Sequence, residues 1–137
     1  MDTARTDALG KLLLRLTLGG LLIIHGIGKM VNGADFIYRM VGAAGLPTAL
    51  GHLVYVGEVL APALVLLGLF TRPAALVIAV NMVVALLLVH TGQLFTMAKS
   101  GGWALELQGF FLLTALVVAL LGAGPLRVGK PGTRWWQ

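Results

Sequence analysis

Apolar residues fill four long stretches of this chain, at about 9–29, 49–70, 72–90 and 103–122, and polar positions concentrate between them. Each stretch approaches the roughly 20 residues that carry a helix across about 30 Å of hydrocarbon. Helices are the expected solution, because a spanning segment must satisfy its backbone hydrogen bonds internally. The first stretch has no small-residue cleavage site after it and reads as a retained span, not a signal peptide. Only Thr71 and Arg72 separate the second and third stretches, which predicts an antiparallel hairpin, with Pro73 in an opening turn where its missing N–H is harmless. Gly124-Pro125 stops the fourth.

Between the first two stretches the pattern changes. Segment 35–44 carries Phe36, Ile37, Met40 and Val41 on one side and Arg39 on the other, with Asp35 as the expected cap and Gly45 and Pro47 as the stop. It reads as a helix lying on the bilayer surface. The predicted fold is therefore all-α, a polytopic membrane four-helix bundle with a short interfacial helix between spans 1 and 2, forming a single membrane domain over residues 1–137.

Composition agrees. At 137 residues, 58% hydrophobic and 11% charged, the chain has too little polar surface to coat a soluble domain. The net charge of +5 does not point to nucleic acid, since no Lys/Arg cluster is interleaved with aromatics. The cations flank the spans instead. Arg5, Lys11, Arg15, Arg72, Arg127, Lys130 and Arg134 fall on the side of the N-terminus and Lys29, Arg39 and Lys99 on the other, which predicts both termini in the cytoplasm of an inner (plasma) membrane protein. There is no cysteine, so the chain's own side chains offer neither a disulfide nor a thiol couple.

The informative exceptions are the ionisable groups inside the spans. A lone charge at mid-bilayer costs about 2.5–3.5 kcal/mol even on the lenient insertion scale, so such groups pair or serve a site. Glu58 lies about 13 Å below the outer end of span 2 and Glu106 about 5 Å below that of span 4. His25 and Lys29, an i,i+4 pair, close span 1 from the same side, and His90 closes span 3. Glu58 and Glu106 are thus candidate proton-handling groups bordering one outer cavity, with His25, Lys29, His90, Arg15 and Trp103 as candidate binding residues and Lys29 or Arg15 as the expected partner of Glu58. Arg15 has a second option, snorkelling to the cytoplasmic surface. Asn81, half a turn out of phase with His90, is expected to bond across a helix interface away from that spot. Gly57, Ala61 and Gly68 in span 2, and Gly102, Glu106, Gly109 and Gly124 in span 4, form the small-residue stripes along which backbones approach. The plain reading of these charges is structural glue, that of the histidines edge hydrogen bonding, and that of Trp103, Trp135, Trp136, Tyr38 and Tyr55 an aromatic belt with tail contacts.

The ordered set Arg15-Leu16-Thr17-Leu18-Gly19, His25-Gly26-Ile27-Gly28-Lys29, Gly57-Glu58-Val59-Leu60-Ala61-Pro62, Leu67-Gly68-Leu69-Phe70-Thr71-Arg72-Pro73 and Gly102-Trp103-Ala104-Leu105-Glu106 resembles the DoxX family. Where relatives often end in Gly-Pro-Gly and a Ser-[hydrophobic]-Asp tail, this chain has Gly124-Pro125-Leu126-Arg127. The resemblance implies a four-span inner-membrane protein, provisionally labelled an oxidoreductase, with relatives described as the membrane subunit of a thiosulfate:quinone oxidoreductase and others as assembly chaperones. Three readings follow. In the first, the protein is a redox-linked membrane subunit that binds a quinone or another apolar small molecule around Glu58, with soluble redox proteins or other membrane subunits as partners. In the second it is a non-enzymatic partner or assembly factor whose segment 35–44 docks the client. In the third and least favoured, a haem is held by His25, His52 or His90, or the chain is a transporter. No metal site is expected. The lipid bilayer is the one obligatory partner, and lipid-facing faces this large leave room for a homo-oligomer.

Overall fold

The structure is a computed structural model and describes residues 2–129 and 135–136, so Lys130 and Arg134, two of the cations counted above, lie outside the described residues. The expected all-helical fold is borne out. Among the described residues α1 spans Thr3–Asn32 and α2 Asp35–Ala43, α3 runs as one continuous rod over Thr48–Leu67, α4 spans Thr71–Leu88 and α5 Glu106–Leu121. The only extended pairing among them is an isolated antiparallel bridge between Met97 and Trp103. By length and composition α1, α3 and α4 can each cross a membrane, and α5 is a shorter apolar helix beside them.

Element ends follow local chemistry, which hydropathy alone missed. Asp2 caps α1 by accepting from the Ala4 N–H at 3.3 Å, and the Lys11 ammonium meets the Asp7 carboxylate at 2.7 Å one turn on, so α1 begins six residues before its apolar stretch. Asp35 does not cap α2. It is the first helical residue, and Ala34 holds the cap position without a side-chain bond. The link between α3 and α4 is Gly68–Phe70, with Thr71 and Arg72 already helical. Gly68 ends α3 at φ 74°, the Leu69 N–H reaches back to Leu64 O, and Phe70 is itself left-handed at φ 46°. Trp103 is not in α5. Its indole N–H donates to Leu94 O at 2.8 Å and its backbone N–H to Glu106 at 3.0 Å, which folds the 91–105 connection into a compact loop before the helix starts.

The core is a thin apolar seam. Leu18, Leu22, Val65, Ile78, Met82, Phe111, Ala115 and Val118 are buried together, with Ala74, Ala75 and Ala79 letting α4 lie close to its neighbours. The outward faces are just as apolar, with Leu13, Ile24, Val80, Leu87, Leu113 and Leu120 all exposed. Apolar inside and apolar outside is the pattern of a helix bundle solvated by lipid.

One charge holds the end of the bundle where α1 begins and α5 ends. Arg15 is 1% exposed and, among the described residues, has no carboxylate partner. Its Nε donates to Val65 O at 2.9 Å, Nη2 to Leu66 O at 2.8 Å, and Nη1 to Ala123 O at 2.6 Å and Leu126 O at 2.7 Å. The Val65 and Leu66 carbonyls are among the orphan acceptors at the negative end of α3, and the other two lie just past α5. Gly68 makes room, since a Cβ there would stand 2.7 Å from Arg15 Nη2. Arg15 therefore neither snorkels nor reaches Glu58, and it is a rivet between three elements.

Arg15→Lys keeps the charge but replaces a planar fork with one point donor. Losing at least two charge-assisted bonds should lower stability by more than about 3 kcal/mol. The check is the melting temperature in detergent, which should fall well below that of wild type.

Candidate functional site: a cavity closed by a lysine–glutamate pair

The site begins with an irregularity in α3. Its first turn, Thr48–His52, is 3₁₀, Leu53–Tyr55 is α, and Val56–Leu60 is a π-turn that returns to α-geometry at Ala61–Leu67. The Ala61 N–H accordingly donates to Val56 O, five residues back. Pro62 follows and has no N–H to offer Glu58 O. Gly26 of α1 covers that backbone carbonyl, and a Cβ added to it would stand 2.5 Å from Glu58 O. Gly19, two turns away, lies against Pro62 O in the same manner, at 2.8 Å from an added Cβ. Two glycines seven residues apart are thus what brings α1 onto α3. The glycines picked out in span 4 do other work, Gly109 receiving the Trp103 ring and Gly124 lying near Lys11.

That approach delivers Lys29 to Glu58. The ammonium contacts both carboxylate oxygens, with Glu58 at 5% side-chain exposure and Lys29 at 35%. The acid is thus the buried partner and the lysine the one at the edge. π-turns of this kind are frequent at functional positions, because the extra residue re-aims a side chain.

Beside the pair lies a cavity of about 600 Å³ between α2, α3 and α4. Phe36, Ile37 and Val41 of α2, Leu50, Val54 and Val56 of α3, and Val77, Val80, Val84 and Leu88 of α4 supply its apolar walls. Its polar groups sit at two levels, Lys29, Glu58 and Asn81 at one and His90 with Gln93 at the other. His90 is held by Gln93 through Nδ1 at 3.0 Å and by Gln108 of α5 through Nε2 at 3.3 Å. Asn81 rests on Gly57, where a Cβ would overlap its amide, and its side-chain nitrogen is buried without a hydrogen-bond partner. A buried donor left unmade costs about 1–3 kcal/mol.

Asn81 is the residue that sequence reasoning misplaced. The half-turn offset from His90 assumed one continuous helix, but α4 stops at Leu88 and His90 has φ −116° outside it. Asn81 and His90 consequently line the same cavity. The converse correction concerns Glu106, His25 and Trp103, none of which lines it. Glu106 is exposed and spent on the Trp103 N–H at the start of α5, where a carboxylate also suits the helix dipole. The His25 ring stands edge-on to Phe111 of α5, with centroids 5.6 Å apart. His52 lies in a separate open cleft of about 510 Å³ with Tyr38, Arg39 and Thr48, its ring centroid 4.9 Å from that of Tyr38. The three histidines therefore face three different surroundings.

Comparison with known proteins decides the family. The DoxX family model matches residues 10–91, more than half of the chain. The protein belongs to the DoxX family. A protein of Bacillus subtilis provisionally named oxidoreductase CatD is 29% identical over 115 residues, covering 84% of this chain and 81% of that relative. An uncharacterized protein of Haemophilus influenzae is 33% identical over 114 residues, 81% of each chain. No solved structure matches significantly. This DoxX protein is thus a helical membrane protein, and one of its relatives bears an oxidoreductase name. The matched residues carry α1 to α4 and every polar group of the cavity except Gln93, whereas Trp103 and Glu106 lie beyond them.

Removing one partner of a buried pair strands the other, at a cost of about 3–5 kcal/mol. Lys29→Met should therefore lower the melting temperature of the purified protein sharply, and adding Glu58→Gln to it should restore most of the loss. A double variant no more stable than the single one would mean that the pair is not what stabilises this end of the bundle.

Proposed function

We propose that this protein is a redox-linked membrane subunit that binds a quinone or a similar apolar small molecule in the cavity beside Glu58. The observation that carries this reading is a carboxylate–ammonium pair, its acid buried, set into the wall of a largely apolar space of about 600 Å³. Ligand sites are typically apolar pockets of about 300–1,000 Å³ with a few convergent polar groups. The provisional oxidoreductase name of the Bacillus relative supports the same class.

A quinone supplies a carrier of two electrons and two protons. The electrons come from a partner, a soluble redox protein or another membrane subunit, because no cysteine is present to form a thiol couple. What this chain contributes is the proton side. Glu58 and Lys29 already share a hydrogen bond, so a proton can be held at the carboxylate or the ammonium next to the ligand. We place the protein in the inner membrane with both termini cytoplasmic, from the cation distribution, which puts the Lys29–Glu58 end outward.

Glu58→Gln keeps the volume and one acceptor but cannot take up a proton. It should abolish quinone-dependent turnover, or the growth that depends on it, while lowering the melting temperature less than Lys29→Met does, because the ammonium it strands is 35% exposed and the glutamine still accepts a hydrogen bond. A fall in melting temperature with function lost only in proportion would make Glu58 a structural residue, and would favour the reading in which the protein is a non-enzymatic membrane partner. Orientation has its own check. Lys99→Cys should react with a membrane-impermeant maleimide in intact spheroplasts while Thr3→Cys is protected, and the reverse result would invert the topology.

A further inference from the structure

Apart from the cavity, α2 and the first turn of α3 flank an open cleft of about 510 Å³ lined by Tyr38, Arg39, Gly42, Thr48, Ala49 and His52. We propose that this cleft binds an anionic phospholipid whose headgroup carries a hydroxyl, with Arg39 and Thr48 donating to the phosphate and His52 accepting from the hydroxyl.

The polar groups around the cleft are not used by the fold. Arg39 is exposed, and among the described residues its side chain makes neither an ion pair nor a hydrogen bond, not even with Asp35 one turn before it. Its planar fork of free donors matches the oxygens of a phosphate. The Thr48 hydroxyl is likewise without a partner among the described residues. His52 is oriented by its Nδ1, which lies 3.0 Å from Ala49 O, and by the Tyr38 ring 4.9 Å away. A carbonyl oxygen only accepts, so Nδ1 carries the proton and Nε2 of the neutral ring is left as an acceptor.

The rest of the cleft selects a lipid over a free anion. Its lining is mostly apolar, with the Tyr38 ring brought in close over Gly51, where a Cβ would stand 2.4 Å from the ring. Such a floor suits a glycerol backbone and the first carbons of an acyl chain, whereas a bare phosphate gains nothing from it. Beyond His52 the exposed residues of α3 down to Leu60 are apolar, namely Leu53, Val56 and Leu60, and they continue the path for the chains. Depth agrees, since at about 1.5 Å per residue His52 stands about 9 Å and Thr48 about 15 Å from the level of Glu58 toward the end of the bundle, where headgroups lie. The site is separate from the Glu58 cavity and does not depend on what that cavity binds.

The experiment is native mass spectrometry of the purified full-length protein in detergent, counting retained adducts of dioleoyl phosphatidylglycerol, dioleoyl phosphatidylmethanol and dioleoyl phosphatidylcholine. Phosphatidylmethanol has the same charge as phosphatidylglycerol but no headgroup hydroxyl, and phosphatidylcholine has no net charge. Wild type should retain phosphatidylglycerol best and phosphatidylcholine least. Arg39→Gln should weaken phosphatidylglycerol about 5-fold, the equivalent of about 1 kcal/mol for one cation at a lipid surface, and Arg39→Lys should recover only part of that. His52→Leu should erase the preference for phosphatidylglycerol over phosphatidylmethanol. The melting temperature of Arg39→Gln should match wild type, because its side chain holds nothing in the fold. Lys99→Gln removes another exposed cation and should change nothing; a loss equal to that of Arg39→Gln would reduce the effect to general charge and overturn the site. Equal retention of phosphatidylglycerol and phosphatidylcholine by wild type overturns it as well. Displacement of the lipid by an equal concentration of inorganic phosphate would make the cleft a plain anion site and overturn the lipid assignment.

Discussion

A charge inside an apolar bundle has to be neutralised where it stands, and this protein does so differently at its two ends. At one end Arg15 is satisfied by four backbone carbonyls, so the cation is absorbed into helix termini that needed donors in any case. At the other, Lys29 meets Glu58, and two opposite charges neutralise each other without using up the backbone. The Arg15 guanidinium has spent its donors on fixed partners, whereas the Lys29–Glu58 pair stands in the wall of the cavity. Glu58 and Lys29 form the only carboxylate–cation pair in the interior among the described residues, and the cavity opens beside it.

Close backbone approach makes that pair possible. Gly19 and Gly26 let α1 lie on α3, and Pro62 with the π-turn frees the carbonyl that Gly26 covers. Gly57 does the same for Asn81 on the opposite side of the turn. One helix, α3, is thus approached through a glycine on either side of Glu58, which is how a rod of ordinary apolar residues presents a polar point to a space between helices. α4 and α5, packed along the apolar seam of Ile78, Met82, Phe111, Ala115 and Val118, supply the rigid backing.

Much of this was legible in the sequence because hydrocarbon imposes its length on any span. The four apolar stretches, the helical α2 and the pairing of Glu58 with a span-1 cation all follow from depth, periodicity and the cost of isolated charge. What stayed hidden depended on backbone detail. Arg15 could not be placed because its partners are carbonyls, which leave no mark in a charge pattern. The π-turn changes the phase of α3 without any residue that demands it. Asn81 was set apart from His90 by a helical-wheel count that ran past the true end of α4. Glu106 looked like a second acid at the cavity, yet it opens α5 and its carboxylate accepts from the Trp103 N–H of the preceding loop.

The central claim is that the space between α2, α3 and α4 is the working site. The most direct measurement is an experimental density map of the protein purified with its native lipid. The expected result is a discrete ligand inside the cavity, its polar end against Lys29 and Glu58 and its apolar body along Val80, Val84 and Phe36. A cavity closed by collapse of α2 onto α4, or occupied only by the acyl chain of a lipid whose headgroup lies outside, would contradict it.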